Sequence, residues 1–161
     1  MIILCDIDGT IADCSHRLHF IKPSACADIG QGDFVADWDA FFKACVDDKP
    51  IHEVIEVIRA LHARGGHLIT YFSGRSDEVR AETKAWLMRH GLPSGDLYMR
   101  TQGDHRPDHI VKSELFDRFL LDRDIEDCNL GGIVAFDDRD QVVKMWRARG
   151  VRCFQVAEGK F

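Results

Sequence analysis

The sequence predicts an α/β protein: a parallel sheet of about five strands, helices on both faces, and a small helical insertion after the first strand. Three observations lead there. Short apolar runs alternate along the chain with stretches whose apolar residues recur at helical spacing, the pattern of parallel strands joined by crossover helices. The opening run, Ile2-Ile3-Leu4-Cys5, is apolar throughout and reads as a strand buried on both faces. Three runs end in polar residues, Asp6-x-Asp8, Ser73-Gly74-Arg75 and Asp137-Asp138-Arg139. A parallel sheet brings such ends to one edge, where open α/β sheets bind ligands.

Each further element has a local cause. Residues 11–50 are irregular, punctuated by Pro23, Gly30, Gly32 and Pro50. Within them residues 37–46 predict a short helix, because Trp38, Phe41, Phe42 and Cys45 fall at helical spacing and Asp37 can cap it. Residues 12–50 are therefore expected to form a cap insertion above the sheet. Val54, Ile55, Ile58 and Leu61 make the apolar stripe of a helix that Gly65-Gly66 stops. Residues 67–72 read as a strand, and Ser76 can cap a helix carrying Val79, Trp86 and Leu87 as far as Gly91. Residues 97–99 fit a short strand, and 110–121 a helix with Val111, Leu115, Phe119 and Leu120 inward. Residues 133–136 are a strand, 142–149 a helix stopped by Gly150, and 151–156 a last strand. The acidic stretch 122–127 reads as a solvated loop.

The composition bounds the function. A chain of 161 residues fits one domain. A net charge of −6 argues against a broad cationic face for non-specific nucleic-acid binding. The first apolar run is short and meets Asp6 at once, and no segment approaches the length of a bilayer span, so neither a secretory signal nor a membrane anchor is expected. Six cysteines are scattered with no C-x-x-C pair, which fits reduced thiols and a cytoplasmic protein. Cys14, His16, His19 and Cys26 contain zinc-ligand types, but their spacing matches no familiar zinc pattern, and loop side chains are the simpler reading.

The chemistry lies at the strand ends. Asp6 and Asp8 stand two residues apart where the first strand stops; Gly9 lets the backbone turn, and the Thr10 hydroxyl can contact an anion. Close carboxylates repel, so the site calls for a cation, and a hard divalent ion suits oxygen ligands. Taken alone, Asp8-Gly9 also reads as a turn with solvated acids. A second acid pair, a small hydroxyl and Lys112 at matching positions make the combination far more specific than any one piece.

These four elements resemble the four motifs of the haloacid-dehalogenase (HAD) superfamily, and the second acid, Asp8, marks its phosphatase and phosphomutase branches. Further similarity, to the 3′-phosphatase domains of phage polynucleotide kinase/phosphatases, lies in three stretches. These are Arg100-Thr101-Gln102-Gly103-Asp104 with Arg106 and Asp108, Val111-Lys112-Ser113-Glu114, and Asp137 through Trp146; the ending Gln155 to Phe161 is similar as well. Within residues 12–50 only Arg17 clearly aligns. No Gly-x-x-x-x-Gly-Lys-Ser/Thr loop occurs, so the kinase half of such bifunctional proteins is not expected in this chain.

The resemblance implies a Rossmann-like core and a Mg²⁺-dependent phosphomonoesterase acting on phosphorylated nucleic-acid ends or nucleotides. It implies Asp6 as nucleophile, forming an aspartyl-phosphate, and Asp8 as general acid and then base. The acid role asks for a raised Asp8 pKa, which crowding by neighbouring carboxylates would favour. Mg²⁺ would take Asp6, the Asp8 main-chain carbonyl and an acid of the Asp137/Asp138 pair. Thr10, Ser73 and the backbone at Gly74 would hold phosphoryl oxygens, and Lys112 would neutralise charge. Arg17 and Arg75 would fork onto a phosphate, with Asp108 orienting one of these cations.

Plainer roles stand beside these. Arg75 could pair on the surface with Asp77 or Glu78, and Asp108 could cap a helix. Trp38, Phe41 and Phe42 read first as core and second as a stacking face for a base, and His105 and His109 read as surface residues. A nucleotidase for free mononucleotides is the alternative within the class. A receiver-like phosphoacceptor domain is more distant, since receivers place the acid pair on the first strand and the acceptor Asp on a middle one.

Overall fold

The computed structural model describes residues 1–22 and 34–159. The chain enters on β1 (Ile2–Asp6) and leaves the sheet for the insertion, whose two ends pair as an antiparallel ribbon of β2 (Ala12–Asp13) and β3 (Lys49–Pro50). Between them lie a 3₁₀ turn at Ser15–Phe20 and a helix, α1 (Trp38–Lys43), which ends in a second 3₁₀ turn at Ala44–Asp47. Asp37 caps α1, its carboxylate accepting the Ala40 N–H at 2.8 Å. The ribbon closes the insertion by a pairing that two-residue strands cannot announce.

The alternation then runs as expected: α2 (His52–Ala63), β4 (Leu68–Ser76), α3 (Arg80–Arg89), β5 (Asp96–Arg100), α4 (Asp108–Asp122), β6 (Ile133–Arg139), α5 (Asp140–Ala148) and β7 (Arg152–Gly159). The five long strands form one sheet in the order β5-β4-β1-β6-β7, all parallel. This is a doubly wound, Rossmann-like sheet whose strand order reverses at β1.

β1 sits in the middle and feeds both cores. Ile3 and Cys5 face one side with Ile69 and Tyr71, under Ile55 and Ile58 of α2 and Trp86 of α3. Leu4 faces the other with Phe72, under Phe116 and Phe119 of α4 and Trp146 of α5. Burying each such aromatic or branched side chain is worth about 1.5–3 kcal/mol, so the two layers hold the centre of the sheet rigid.

Three differences from expectation matter for the site. β4 and β6 continue past their apolar runs, and each shifts register at its polar end, between Ser73 and Ser76 and between Asp137 and Arg139. Such irregularities re-aim side chains at a sheet rim. α4 starts at Asp108, before its apolar periodicity begins, which sets Asp108 and Lys112 one turn apart on its inner face. Ser76 caps a 3₁₀ turn, Asp77–Val79, ahead of α3, accepting the Glu78 N–H at 3.4 Å.

Candidate active site

The carboxyl ends of β1 and β6 lie side by side at the point where strand order reverses, and they present Asp6, Asp137 and Asp138 together. One carboxylate oxygen from each lies within 4.8 Å of the others, all three side chains buried. Gly9 makes room for this: its φ is +86°, and a Cβ there would lie 2.3 Å from Asp138 Oδ2. Lys112 reaches in from α4, its Nζ donating to Asp6 Oδ1 at 2.6 Å and to Asp137 Oδ2 at 2.9 Å, with Asp108 Oδ2 at 3.5 Å. Burial pulls the lysine pKa down, but Asp108, Asp137 and Asp6 outweigh it and hold Lys112 charged.

The carboxylates exceed this one cation. Burial, opposed by Lys112 and reinforced by Asp137 and Asp138, raises the Asp6 pKa well above the usual carboxylate range. Burial and then Asp137 push Asp138 up to about 6. Three buried carboxylates whose oxygens converge within 4.8 Å are a donor set for a hard divalent cation, and Mg²⁺ fits it.

The second carboxylate of the opening motif faces elsewhere. Asp8 Oδ1 accepts from Arg17 Nη2 at 2.6 Å, and Arg75 Nε donates to Oδ1 and Oδ2 at 3.0 and 3.2 Å. Both arginines are fully buried. Burial alone would raise the Asp8 pKa, but Arg75 and Arg17 together outweigh it and hold it at about 2. The expectation of a raised pKa is corrected: crowding by carboxylates acts on Asp6 and Asp138, while two guanidiniums dominate at Asp8. The surface pair of Arg75 with Asp77 or Glu78 is excluded by its burial. In this state both arginines grip carboxylates, which corrects the picture of two forks lying open to a phosphate.

Asp48, which the sequence reading missed, completes this cluster. Its Oδ1 accepts from Arg17 Nε at 2.7 Å, and its Oδ2 from Arg17 Nη2 at 2.8 Å and Arg75 Nη2 at 2.6 Å. An acid beside Lys49-Pro50 carries no motif; two arginines without local partners, Arg17 in the insertion and Arg75 at a strand end, were the available signal.

The remaining candidates have specific partners. The Thr10 hydroxyl donates to Asp138 Oδ1 at 3.4 Å, and Ser73 Oγ accepts the Arg75 N–H at 3.2 Å. Both hydroxyls thus support neighbouring site residues in this state rather than standing open to an anion. Gly74 is required by Asp108, whose Oδ1 would lie 2.3 Å from a Cβ at that position. Asp108 accepts from Arg100 Nη2 at 3.1 Å and neighbours Arg139 Nη1 at 3.6 Å. It opens α4 without capping it, since Pro107 is the N-cap and no side chain caps this end. Asp108 therefore orients cations, Lys112 among them.

A cavity of about 380 Å³ rises from Asp6, Asp8 and Lys112, between the insertion on one side and the Arg100–Asp108 segment on the other. The aromatic trio divides there. Phe41 is buried, with the Arg17 guanidinium 4.2 Å above its ring, whereas Trp38 is 43% exposed and lines the cavity beside half-buried Phe42. The core reading holds for Phe41 and fails for Trp38. His105 is exposed on the opposite wall, and His109 meets Gln141 at 3.0 Å. Of the Cys/His set, Cys26 lies outside the described residues, His16 Nε2 meets Asp48 Oδ1 at 2.9 Å, and His19 Nδ1 meets the His16 carbonyl at 2.9 Å.

Comparison with known families decides the kind of site this is: residues 1–161 match the polynucleotide kinase PNKP phosphatase domain, a HAD family. The chain belongs to this family. It is a HAD-type phosphatase domain, which sets the receiver-like alternative aside. Over 146 residues it is 27% identical to the "Putative bifunctional polynucleotide kinase/RNA ligase" of Autographa californica nuclear polyhedrosis virus, covering 90% of this chain and 17% of that protein. A chain of the Pnkp1/Rnl/Hen1 complex matches with a TM-score of 0.69 and 27% identity, over 99% of this chain and 46% of that one. A class C acid phosphatase from Bacillus anthracis, at 17% identity and a TM-score of 0.63 over 99% of this chain and 67% of that one, shares the fold. The HAD domain thus spans about a sixth of the viral relative and under half of the chain in the complex. Among the described residues no helix is long and apolar enough to cross a membrane.

Proposed function

We propose that this HAD domain is a Mg²⁺-dependent phosphomonoesterase that removes 3′-phosphates from nucleic-acid ends through an aspartyl-phosphate on Asp6. In this reading the whole chain acts as one phosphatase domain, with residues 12–50 as its cap, in the cytoplasm. The observation that carries it is Lys112 bridging Asp6 and Asp137 beside Asp138, at the strand-order reversal of the sheet.

Asp6 attacks phosphorus, the P–O bond to the leaving group breaks, and the leaving oxygen takes a proton from Asp8. Asp8 then accepts a proton from the water that hydrolyses the Asp6 phosphate. Lys112 neutralises charge on Asp6 as the phosphoryl group arrives, and Asp108 holds Lys112 in place. Asp6, Asp137, Asp138 and the Asp8 carbonyl would hold Mg²⁺, which when bound would supply Lewis-acid charge for the phosphoryl oxygens. The backbone at Gly74, on the cavity wall, holds those oxygens, with Thr10 and Ser73 supporting Asp138 and Arg75 behind it. Arg17 and Arg75 stay on Asp8 and hold its carboxylate toward the leaving group.

Asp8 rests as a carboxylate and needs a proton to serve as an acid. An incoming phosphate provides the reason to take one. A negative charge about 4 Å away costs about 4 kcal/mol at an effective dielectric near 20, or about three pKa units. That moves Asp8 from about 2 toward neutral pH without reaching it, so the protonated acid is a minority form that the entering phosphate makes accessible.

The family match and the polynucleotide kinase relatives support a nucleic-acid substrate, and half-exposed Trp38 beside Phe42 offers a stacking face for its terminal base. The test is Mg²⁺-dependent phosphate release from a 3′-phosphorylated oligonucleotide, its 5′-phosphorylated twin and the matching 3′- and 5′-mononucleotides, with Asp6→Asn as the blank. The 3′-phosphorylated oligonucleotide is expected to be preferred, with activity lost in EDTA and restored by Mg²⁺. Preference for a mononucleotide makes the domain a nucleotidase, and release from none overturns the substrate assignment.

A further inference from the structure

We infer that Asp48 is a positioning residue for the proton-transfer step, holding Arg17 and Arg75 so that they fix the Asp8 carboxylate against the leaving group. Three segments distant in sequence meet on it: the 3₁₀ turn that carries Arg17, the end of β4 that carries Arg75, and the last residues of the insertion, where Asp48 itself precedes β3. Its side chain is fully buried, and both oxygens are used. Its main chain is tied as well: the Asp48 N–H donates to the Cys45 carbonyl at 3.3 Å, and its own carbonyl accepts the Trp86 indole N–H at 2.9 Å.

The arrangement balances two guanidiniums against two carboxylates. Arg17 binds Asp48 through Nε and Nη2 and reaches Asp8 with the same Nη2. Arg75 bridges the two acids through its own Nη2. Each arginine therefore has one end anchored on Asp48, which is buried away from the cavity wall, and the other on Asp8, which lines it. Without Asp48 both cations would crowd onto Asp8 or the entering phosphate, and the carboxylate would lose its fixed direction. A buried ionic cluster is weak evidence for stability, because desolvation offsets the attraction. Placement of a reacting group is the role that this geometry serves.

The inference rests on Asp8 being the proton donor, and the experiment separates the two claims. kcat/KM, which covers the steps through departure of the leaving group, is measured for wild type, Asp48→Asn and Asp8→Asn. The substrates are a nucleoside 3′-phosphate, whose alkoxide must be protonated to leave, and p-nitrophenyl phosphate, whose phenolate leaves without help. Asp48→Asn is expected to lose about 100-fold on the nucleotide and about 3-fold on the aryl ester, a split that general acid catalysis explains and loss of folded protein does not. Asp8→Asn is expected to show the same split, larger. If Asp8→Asn shows it and Asp48→Asn loses equally on both substrates, the positioning role is overturned. If Asp8→Asn shows no split, the assignment of Asp8 as acid fails, and the role of Asp48 with it. Thermal melts run alongside. If Asp48→Asn melts below the assay temperature, Asp48→Glu, which keeps the charge and displaces it by one methylene, carries the test. The same split supports the inference, and wild-type rates on both substrates overturn it.

Discussion

Lys112 Nζ lies 2.6 Å from Asp6 Oδ1 and is surrounded by three acids, with Asp137 at 2.9 Å and Asp108 at 3.5 Å. A single buried ammonium is therefore shared among three carboxylates. At about 4 Å and an effective dielectric near 20, one such contact is worth about 4 kcal/mol. Lys112→Met is expected to lower kcat/KM by about a thousandfold. It should also lower the melting temperature in EDTA and recover part of that loss in Mg²⁺, because the cation then supplies charge that the lysine no longer does. Paired melting curves with and without Mg²⁺ check this.

Gly74 faces the same lysine through Asp108. A methyl group there would lie 2.3 Å from Asp108 Oδ1, so Gly74→Ala must displace a carboxylate held by Arg100 and Lys112. The expected cost to stability is about 1–3 kcal/mol, typical of overpacking. Activity should fall further than stability explains, since the displaced acid shifts Lys112 from Asp6. Steady-state kinetics and urea unfolding of the same variant separate the two effects.

The Asp8 ion pairs make a signed contribution to acid stability. Held at about 2 in the folded chain against 3.8 for an ordinary aspartate, Asp8 stabilises the fold fully above pH 4 and loses that contribution as pH falls toward 2. The difference corresponds to about 2 kcal/mol. Asp8→Asn is therefore expected to flatten the fall in unfolding free energy between about pH 4 and 2 relative to wild type. Urea titrations across that range measure it.

Trp38 is exposed where a packed aromatic would be covered. Trp38→Ala is expected to raise KM for nucleotide and oligonucleotide substrates by about 10-fold, the worth of one stacked base at about 1–3 kcal/mol. It should leave kcat nearly unchanged and p-nitrophenyl phosphate unaffected. An equal effect on all substrates would return Trp38 to a packing role.

Much of this molecule is written locally. The β1 run, the helical spacing at Ile55 and Ile58, the Gly65-Gly66 stop and the three polar strand ends each depend on neighbours in sequence, so the doubly wound sheet and Asp6, Asp137, Asp138 and Lys112 are legible without coordinates. Periodicity is blind to polar residues that happen to face inward. It therefore starts α4 two residues late and ends β4 and β6 early, at the positions where Asp108, Arg75 and Asp138 work.

What only the tertiary structure decides is which charge answers which. The sequence places Asp6 and Asp8 two residues apart and suggests one shared environment. The fold turns Asp6 toward Lys112 and the acids of β6, and Asp8 toward Arg17 and Arg75. The two pKa values consequently move in opposite directions. Asp48 enters through the same cause. Electrostatic partnership is set by distance and burial across segments 27 and 31 residues apart, and no local pattern in the chain encodes it.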